Sequence, residues 1–308
     1  MTTDEREPEV WREGYLAAGD TRFFVRARGH GDDVALLLHG WPEDGSSWRH
    51  VAPALVDAGY RVVAPDLKGF GRSDGPRRGY DPETLADEVA QLIRGLHVRK
   101  AVLVGHDWGG AIALATAFRH PGLVRALVVA AAPFRQLDLR ASWHIPLLNL
   151  PVVPEVAFRL AARPLVAATL RHAARVHTPF DDEVVDAYAA AISATPSAWL
   201  RYYRTLSRRA VVDLAVRRVR SRVGFLADPE GPHRLRVPTT VVWGEDDPAT
   251  PFHLAPRVAH DLGAQLVALP GVGHFVHEED PEGVVRAILG LAGPGGGARV
   301  PLPERTRP

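Results

Sequence analysis

The sequence predicts an α/β fold in which a mostly parallel sheet is flanked by helices and interrupted by a helical insertion. Short runs rich in β-branched residues alternate with segments of helix length, which is the pattern of consecutive βαβ units. The alternation stops at about residue 134 and resumes at about residue 236. The chain has 308 residues, of which 46% are apolar, so it can bury the large core that this class of fold needs.

The strand candidates are of two kinds. The segment 21–29, TRFFVRARG, alternates in character, which predicts an antiparallel strand at the edge of the sheet. Continuous apolar runs predict parallel strands, and they lie at 34–40, 61–67, 101–107, 123–132, 238–247 and 264–271. Helices are expected near 48–58, 84–96, 110–119 and 281–289.

The same rhythm divides the chain into a core and an insertion. Residues 20–133 and 236–292 carry the strand pattern and are predicted to form one α/β core. Residues 134–235 are Arg- and Ala-rich with helical character, and we expect a helical cap over the carboxyl ends of the strands, where open α/β sheets bind ligands. Residues 1–15 and the Gly-, Pro- and Arg-rich residues 293–308 are expected to be flexible termini.

Charge and composition exclude several classes of partner. The 37 Lys and Arg residues nearly balance the 36 Asp and Glu residues, so no basic surface for nucleic acid or for an anionic membrane is expected. The absence of Cys excludes disulfides, thiolate zinc sites and a Cys nucleophile. The first residues are acidic, and no apolar stretch reaches the roughly 18 residues of a membrane span. We expect a cytoplasmic protein that acts on a small molecule, and a homodimer is compatible with this composition.

The turn G-H-D-W-G at 105–109 carries the main candidate for chemistry. Small residues on both sides of a central Asp107 allow a strand to turn sharply into a helix and to expose the middle side chain at the helix N-terminus. A phosphate-binding loop is disfavoured because a carboxylate at this position would repel a pyrophosphate. An isolated Asp here would be interpreted as a helix cap. The rest of the sequence therefore decides whether Asp107 is a cap or a reactive carboxylate.

Five motifs in order carry a family resemblance: HGWPED at 39–44, DLKGFGRSD at 66–74, VGHDWGG at 104–110, WGEDDPATP at 243–251 and GVGHFVHEEDPE at 271–282. Together they resemble the α/β-hydrolase family, and within it they are most similar to the epoxide hydrolases. The resemblance spans about residues 20–290. It implies an eight-stranded, mostly parallel sheet with an inserted cap, no cofactor and no metal, and a small apolar epoxide and water as reactants.

The resemblance also implies a two-step mechanism. Asp107, already an anion near neutral pH, would open the epoxide ring and form an ester. His274 would activate the water that breaks this ester, with Asp247 orienting the imidazole; Asp246 stays open as an alternative one residue out of register. The backbone N–H groups of Trp41 and Trp108 would form the oxyanion hole.

The same family supplies ring-opening donors from the cap. The segment WLRYYRTL at 199–206 places Tyr203 in one donor position, with Tyr202 beside it as the lesser candidate. In SWHIPLLNLPVVPE at 142–155, His144 stands where the family has a second tyrosine, and an imidazole can also donate an N–H. Inward packing of either side chain is the alternative. The residues predicted to line the substrate pocket are Trp41, Trp108, Trp143 and Tyr202, and Trp199 is a further candidate.

Four functions remain open at this stage. Epoxide hydrolysis is preferred, and haloalkane dehalogenation is the close alternative because it uses the same triad with a Trp after the nucleophile. An ordinary esterase is disfavoured because a carboxylate attacking an ester would form an anhydride. A non-catalytic ligand-binding protein is expected to lose a triad member, and none is missing. The spacing of His274 and His277 in HFVH allows a metal pair, but a loop position within a matched motif disfavours it.

Overall fold

The computed structural model describes residues 10–132, 134, 138, 141–205 and 235–292. Eight strands form a single sheet in the order β1-β2-β4-β3-β5-β6-β7-β8. Their bounds are β1 Arg12–Ala18, β2 Thr21–Arg28, β3 Asp33–Leu38, β4 Tyr60–Pro65, β5 Ala101–His106, β6 Val124–Ala130, β7 Thr239–Gly244 and β8 Gln265–Leu269. The pairs β1–β2 and β2–β4 are antiparallel and all other pairs are parallel, which confirms the predicted fold class.

Helices connect the strands and cover both faces of the sheet. Their bounds are α1 Ala52–Asp57, α2 Pro82–Gly95, α3 Asp107–Arg119, α4 His144–Leu148, α5 Val153–Leu160, α6 Ala162–Ala173, α7 Asp182–Ala194, α8 196–205, α9 Ala255–Leu262, α10 Val276–Glu279 and α11 Pro281–Ala292. Short 3-10 helices lie at Gly45–His50, Pro121–Leu123 and Phe252–Leu254. None of the helices within the described ranges is long and apolar enough to cross a membrane.

Alternating residues of the central strands divide the core into two layers. In β3, Leu36 and Leu38 pack on the face that α2 and α3 cover, whereas Ala35 and Leu37 pack on the face of α1 and α11. Every residue of β5 and β7 is buried. This burial on both faces explains why continuous apolar runs, rather than alternating ones, mark the parallel strands in the sequence.

The N-terminal part of the sheet differs from the sequence prediction. Arg12–Ala18 forms β1, so the prediction of a flexible terminus over 1–15 is wrong for its last residues, and β1 rather than β2 is the edge strand. Most of β1 is exposed, and an exposed strand needs no apolar run to hold it. It is held instead by antiparallel pairing with β2, which runs from Arg12 opposite Ala27 to Ala18 opposite Thr21. Residues 1–9 and 293–308 lie outside the described residues.

The described part of the segment between β6 and β7 consists mainly of helices. Helices α4 to α8 follow one another between residues 144 and 205, and residues 206–234 lie outside the described part. Several groups of hydrogen bonds join these helices to the core, and two of them involve α8 and α6. At one, the Tyr202 hydroxyl of α8 donates to the Lys68 carbonyl at 3.0 Å; at the other, the His274 N–H donates to the Ala173 carbonyl at the end of α6, also at 3.0 Å.

Candidate active site

The site is built on the turn between β5 and α3. Asp107 adopts a φ of 48°, in the left-handed region that non-glycine residues rarely occupy, and backbone in this region is typical of functional sites. A Cβ at Gly105 would lie 2.3 Å from the Gly109 carbonyl oxygen, and one at Gly109 would lie 2.3 Å from the Leu38 carbonyl oxygen. Only glycine fits at both positions. The sharp turn leaves the Asp107 side chain at the wall of a cavity.

One carboxylate oxygen of Asp107 is held by the loop that follows β3. The Trp41 backbone N–H donates to Asp107 Oδ2 at 3.0 Å. Asp107 is also the first residue of α3, where the helix dipole favours a negative charge. The sequence assigned the Trp41 N–H to an oxyanion hole, and the structure places this group against the carboxylate that would become the ester. The role of the Trp108 N–H as second donor stays a prediction.

His274 contacts Asp247 and not Asp246. His274 Nδ1 lies 2.9 Å from Asp247 Oδ2, and both side chains are buried, whereas Asp246 is exposed. Asp247 Oδ1 accepts from the backbone N–H groups of Ala249 and Thr250, at 2.8 and 2.9 Å, which fixes the carboxylate. Because a carboxylate only accepts, Nδ1 carries a proton and Nε2 is the nitrogen that can gain or lose one.

The charge on Asp107 influences the titration of His274. Burial lowers the pKa of His274, but the carboxylates of Asp247, Asp107 and Glu43 outweigh burial and raise this pKa to about 9. The imidazole is therefore protonated at neutral pH in the free protein. Conversion of Asp107 to a neutral ester removes one of the charges that raise the pKa, so it favours release of the proton from Nε2.

A substrate-free measurement tests this coupling. In an Asp107→Asn variant we expect the pKa of His274 to fall below about 9, because the neutral amide no longer stabilises the imidazolium. NMR titration of the His274 ring in the wild-type and variant proteins measures the shift. An Asp246→Asn variant is the control, since that carboxylate is exposed. An unchanged pKa in the Asp107 variant would contradict the coupling.

The cap contributes two polar rings to the same cavity. Tyr203 of α8 is buried, and its ring centroid lies 5.0 Å from that of Trp108. Burial and the Asp107 charge raise the pKa of Tyr203, so it keeps its proton; the Trp108 indole, a donor only, hydrogen-bonds to its hydroxyl. His144 begins α4, with its ring centroid 6.1 Å from that of Tyr203. Burial lowers the pKa of His144, although Asp107 opposes this, and a neutral imidazole keeps one N–H.

The cavity has a volume of about 630 Å³ and a largely apolar lining. Core and cap both contribute. The predicted residues among those that line it are Trp41, Asp107, Trp108, Trp143, His144, Tyr203 and His274. Trp143 is 61% exposed and therefore borders solvent. Helices α5 and α6 add residues that the sequence analysis did not single out, including Phe158, Leu165, Thr169 and His172, because an apolar cap helix gives no signal of which face meets a ligand.

Tyr202 does not line the cavity, which corrects its assignment to the pocket. Its hydroxyl donates to the Lys68 carbonyl, and its ring packs against those of Phe70 and Tyr80, with centroids at 5.5 and 5.2 Å. Successive residues of a helix point about 100° apart, so Tyr202 faces the core when Tyr203 faces the cavity. Trp199 is also absent from the lining and is buried behind Trp41, at 5.7 Å between ring centroids.

A buried polar cluster lies beneath the site and was missed in the sequence, although its residues belong to the quoted motifs. His106 Nδ1 lies 3.0 Å from Glu43 Oε2, and His106 Nε2 lies 3.0 Å from the His274 carbonyl oxygen. Glu43 Oε2 also accepts from the Gly40 N–H at 3.0 Å. Although burial raises the pKa of Glu43, His277 and His106 hold it well below its usual range. The cluster ties together the three loops that carry Trp41, Asp107 and His274.

Glu43, His106 and His277 are also the residues of the described ranges that are grouped closely enough to bind a metal ion. Both ring nitrogens of His106 already have acceptor partners, so metal binding would cost these bonds. His277 packs on Trp48 with ring centroids 4.2 Å apart, and its Nε2 lies 3.1 Å from Glu43 Oε1. This arrangement fits a hydrogen-bonded support of the three loops better than a metal centre. The two histidines of HFVH have different partners, since His274 contacts Asp247 and His277 contacts Glu43.

An acidic residue on a strand-to-helix turn, a His–Asp pair after the last strands and a cap over an eight-stranded sheet define a hydrolase of the α/β type. The chain belongs to the α/β-hydrolase family: the family model described as alpha/beta hydrolase fold matches residues 34–281.

Relatives and solved structures agree with this family and with hydrolase activity. Epoxide hydrolase 3 of Xenopus tropicalis is 33% identical over 297 residues, which cover 89% of this chain and 72% of the relative. The structure titled epoxide hydrolase CorEH without ligand has a TM-score of 0.75 and 25% identity, covering 92% of this chain and 98% of its own. Cfl2 from Burkholderia cenocepacia has a TM-score of 0.76 and 26% identity, covering 90% and 94%.

Proposed function

We propose that this protein hydrolyses an apolar epoxide to a vicinal diol through a covalent ester on Asp107. The observation that carries the proposal is the arrangement around one cavity: Asp107 lies at its core side, Tyr203 and His144 lie at its cap side, and His274 is within reach of the same space. The similarity to proteins named epoxide hydrolases supports the choice of substrate.

In the first step, the free Asp107 oxygen attacks an epoxide carbon and the C–O bond of the ring breaks. The electron pair passes to the ring oxygen, which takes a proton from the cap donors. Tyr203 suits this role because its oxygen already accepts from the Trp108 indole, which leaves its own O–H to face the substrate. His144 lies on the same side, but a neutral imidazole has one N–H and the His144 ring already hydrogen-bonds to the Ala141 backbone, so His144 is the weaker candidate donor.

In the second step, water attacks the ester carbonyl. His274 Nε2 takes a proton from this water, and Asp247 stabilises the imidazolium. The Trp41 N–H, already against Oδ2, stabilises the oxyanion. Collapse of the intermediate expels the diol oxygen, which takes the proton held by the His274 imidazolium. The Asp107 acid that remains returns its proton to the Tyr203 phenolate, so the carboxylate is restored with one oxygen now derived from water.

Solvent oxygen labelling tests the proposal directly. Multiple turnovers in ¹⁸O-water place the label in the Asp107 side chain, and mass analysis of the peptide that contains it detects the label. The substrates are a panel of styrene-like, aliphatic and fatty epoxides, screened for diol. Diol formation without label at Asp107 would refute the covalent route, and no diol from any of these epoxides would refute the substrate class.

Haloalkane dehalogenation is the second candidate, and one observation favours it. Trp41 Nε1 is buried without a hydrogen-bond partner within the described residues, and Trp41 lines the cavity, so this N–H could face a halide. Against it, the Trp108 indole is engaged by Tyr203. Chloride or bromide release from haloalkanes, at rates above epoxide turnover, would decide for the dehalogenase.

The cap donors give a separate prediction. Tyr203→Phe and His144→Phe should each slow formation of the Asp107 ester by about 10- to 100-fold and leave hydrolysis of the formed ester nearly unchanged, because alkoxide protonation belongs to the first step alone. Single-turnover mass spectrometry separates the two rates. Tyr202→Phe is the matched control, since that hydroxyl faces Lys68 rather than the cavity. Unchanged ester formation in both variants would remove these residues from the mechanism.

A further inference from the structure

The Glu279 carboxylate joins two segments that are distant in sequence. Glu279 ends α10 and is only 8% exposed. Its oxygens accept from the backbone N–H groups of Gly273 and Phe275, at 2.9 and 3.0 Å, which flank His274. They also accept from Arg175 and Val176, at 2.7 and 3.0 Å, in the segment that follows α6 of the cap. Four backbone N–H groups thus converge on a single buried side chain.

The loop at 273–275 and the cap segment at 173–176, which we call the Glu279 junction, also share a direct backbone hydrogen bond. The His274 N–H donates to the carbonyl of Ala173, the last residue of α6, at 3.0 Å. The two backbones approach so closely that a Cβ at Gly273 would lie 2.4 Å from the Ala173 carbonyl oxygen. Ala173 itself lines the cavity, together with Thr169 and His172 of the same helix. The loop of His274 and the cavity-lining end of α6 are therefore one hydrogen-bonded unit.

We propose that Glu279 is a positioning residue that fixes His274 to the cap, so that hydrolysis of the ester depends on the position of α6. The inference rests on the proposed function, in which His274 acts only in the second step. A misplacement of about 1 Å can cost a reaction about 100-fold, so loss of these bonds is expected to slow the step that needs His274. Tyr203, which acts in the first step, lies on α8 and not in the segment at 175–176 that Glu279 binds.

Glu279→Gln is the informative variant because it keeps the size of the side chain. Its amide NH₂ necessarily faces at least one backbone N–H that the carboxylate now accepts. We expect ester hydrolysis to slow by about 10-fold or more and ester formation to stay within about twofold. Glu279→Ala removes all four bonds and should enlarge the effect.

The control is Glu282→Gln, which changes a carboxylate that is 88% exposed and pairs with Arg286. It should alter neither rate. Single-turnover mass spectrometry of the Asp107 ester gives both rates. A merely structural role would lower the fraction of active protein and leave the ratio of the two rate constants unchanged. An unchanged ratio in a folded Glu279→Gln protein would overturn the inference.

Hydrogen–deuterium exchange tests the junction without a substrate. In Glu279→Gln, the amides at 175–176 and at 273–275 should lose protection together, because the same carboxylate holds both segments. Loss in only one segment, or in neither, would overturn the inference even if no epoxide reacts. Failure of the wild-type protein to form the ester, with joint loss of protection, would instead refute the proposed function and leave the junction intact.

Discussion

Asp107→Asn is expected to abolish turnover while the protein stays folded. The amide cannot displace an epoxide oxygen, and loss of a nucleophile typically costs on the order of 10⁴-fold or more in kcat. The fold should survive because Asn has nearly the volume of Asp and tolerates the left-handed backbone that residue 107 adopts, at φ 48°. Diol formation and ester mass are the measurements, and circular dichroism checks the fold.

Two controls make this result decisive. Asp246→Asn changes an exposed carboxylate next to Asp247 and should keep wild-type turnover. Peptide mass analysis of residue 107 must show that the Asn variant has not deamidated to Asp. Normal turnover by an undeamidated variant would refute Asp107 as the nucleophile.

His274→Gln is expected to trap the ester. The first step needs no proton from Asp107, so about one equivalent of adduct should form, whereas its hydrolysis should slow by about 10²- to 10⁴-fold without the base. Intact-mass spectrometry follows the adduct, and its location is read from the peptide containing Asp107. This variant therefore reports on both steps at once.

His260→Gln is the matched control, because that imidazole is 83% exposed on α9 and should leave both steps unchanged. Diol production at the wild-type rate by His274→Gln would contradict the role of His274 as base. An Asp107 ester that never accumulates would contradict the two-step route. The two outcomes are separable, because the first concerns the rate of product and the second the presence of an adduct.

The sequence predicted the parts of the site that short-range geometry controls. The glycines around Asp107 predict the turn because no other residue fits between β5 and the backbone of Leu38. The choice of Asp247 over Asp246 came instead from the family pattern W-G-x-x-D, and the structure pairs Asp247 with His274. The parallel strands were visible because burial on both faces demands continuous apolar runs.

Other features depend on contacts that no local pattern encodes. Strand β1 was missed because an exposed edge strand is held by its partner and not by its own apolar content. Tyr202 and Tyr203 are neighbours of the same type, and only the docking of α8 decides that Tyr203 faces the cavity. Glu43 and His106 belong to the motifs, but the sequence gives neither a role. Their hydrogen bond becomes visible only when the fold brings their loops together.

The sequence by itself determined the α/β class, the parallel strands and the turn at Asp107, because glycine-dependent turns and burial periodicity are local consequences of side-chain size and polarity. The other residues offered for chemistry came from the resemblance to a known family. Only the tertiary structure decided which of these residues share a cavity and what supports them. Glu279 shows the reason: its partner Arg175 is 104 residues away in sequence, and the Arg175 backbone amide reaches the carboxylate only when the cap has packed on the core.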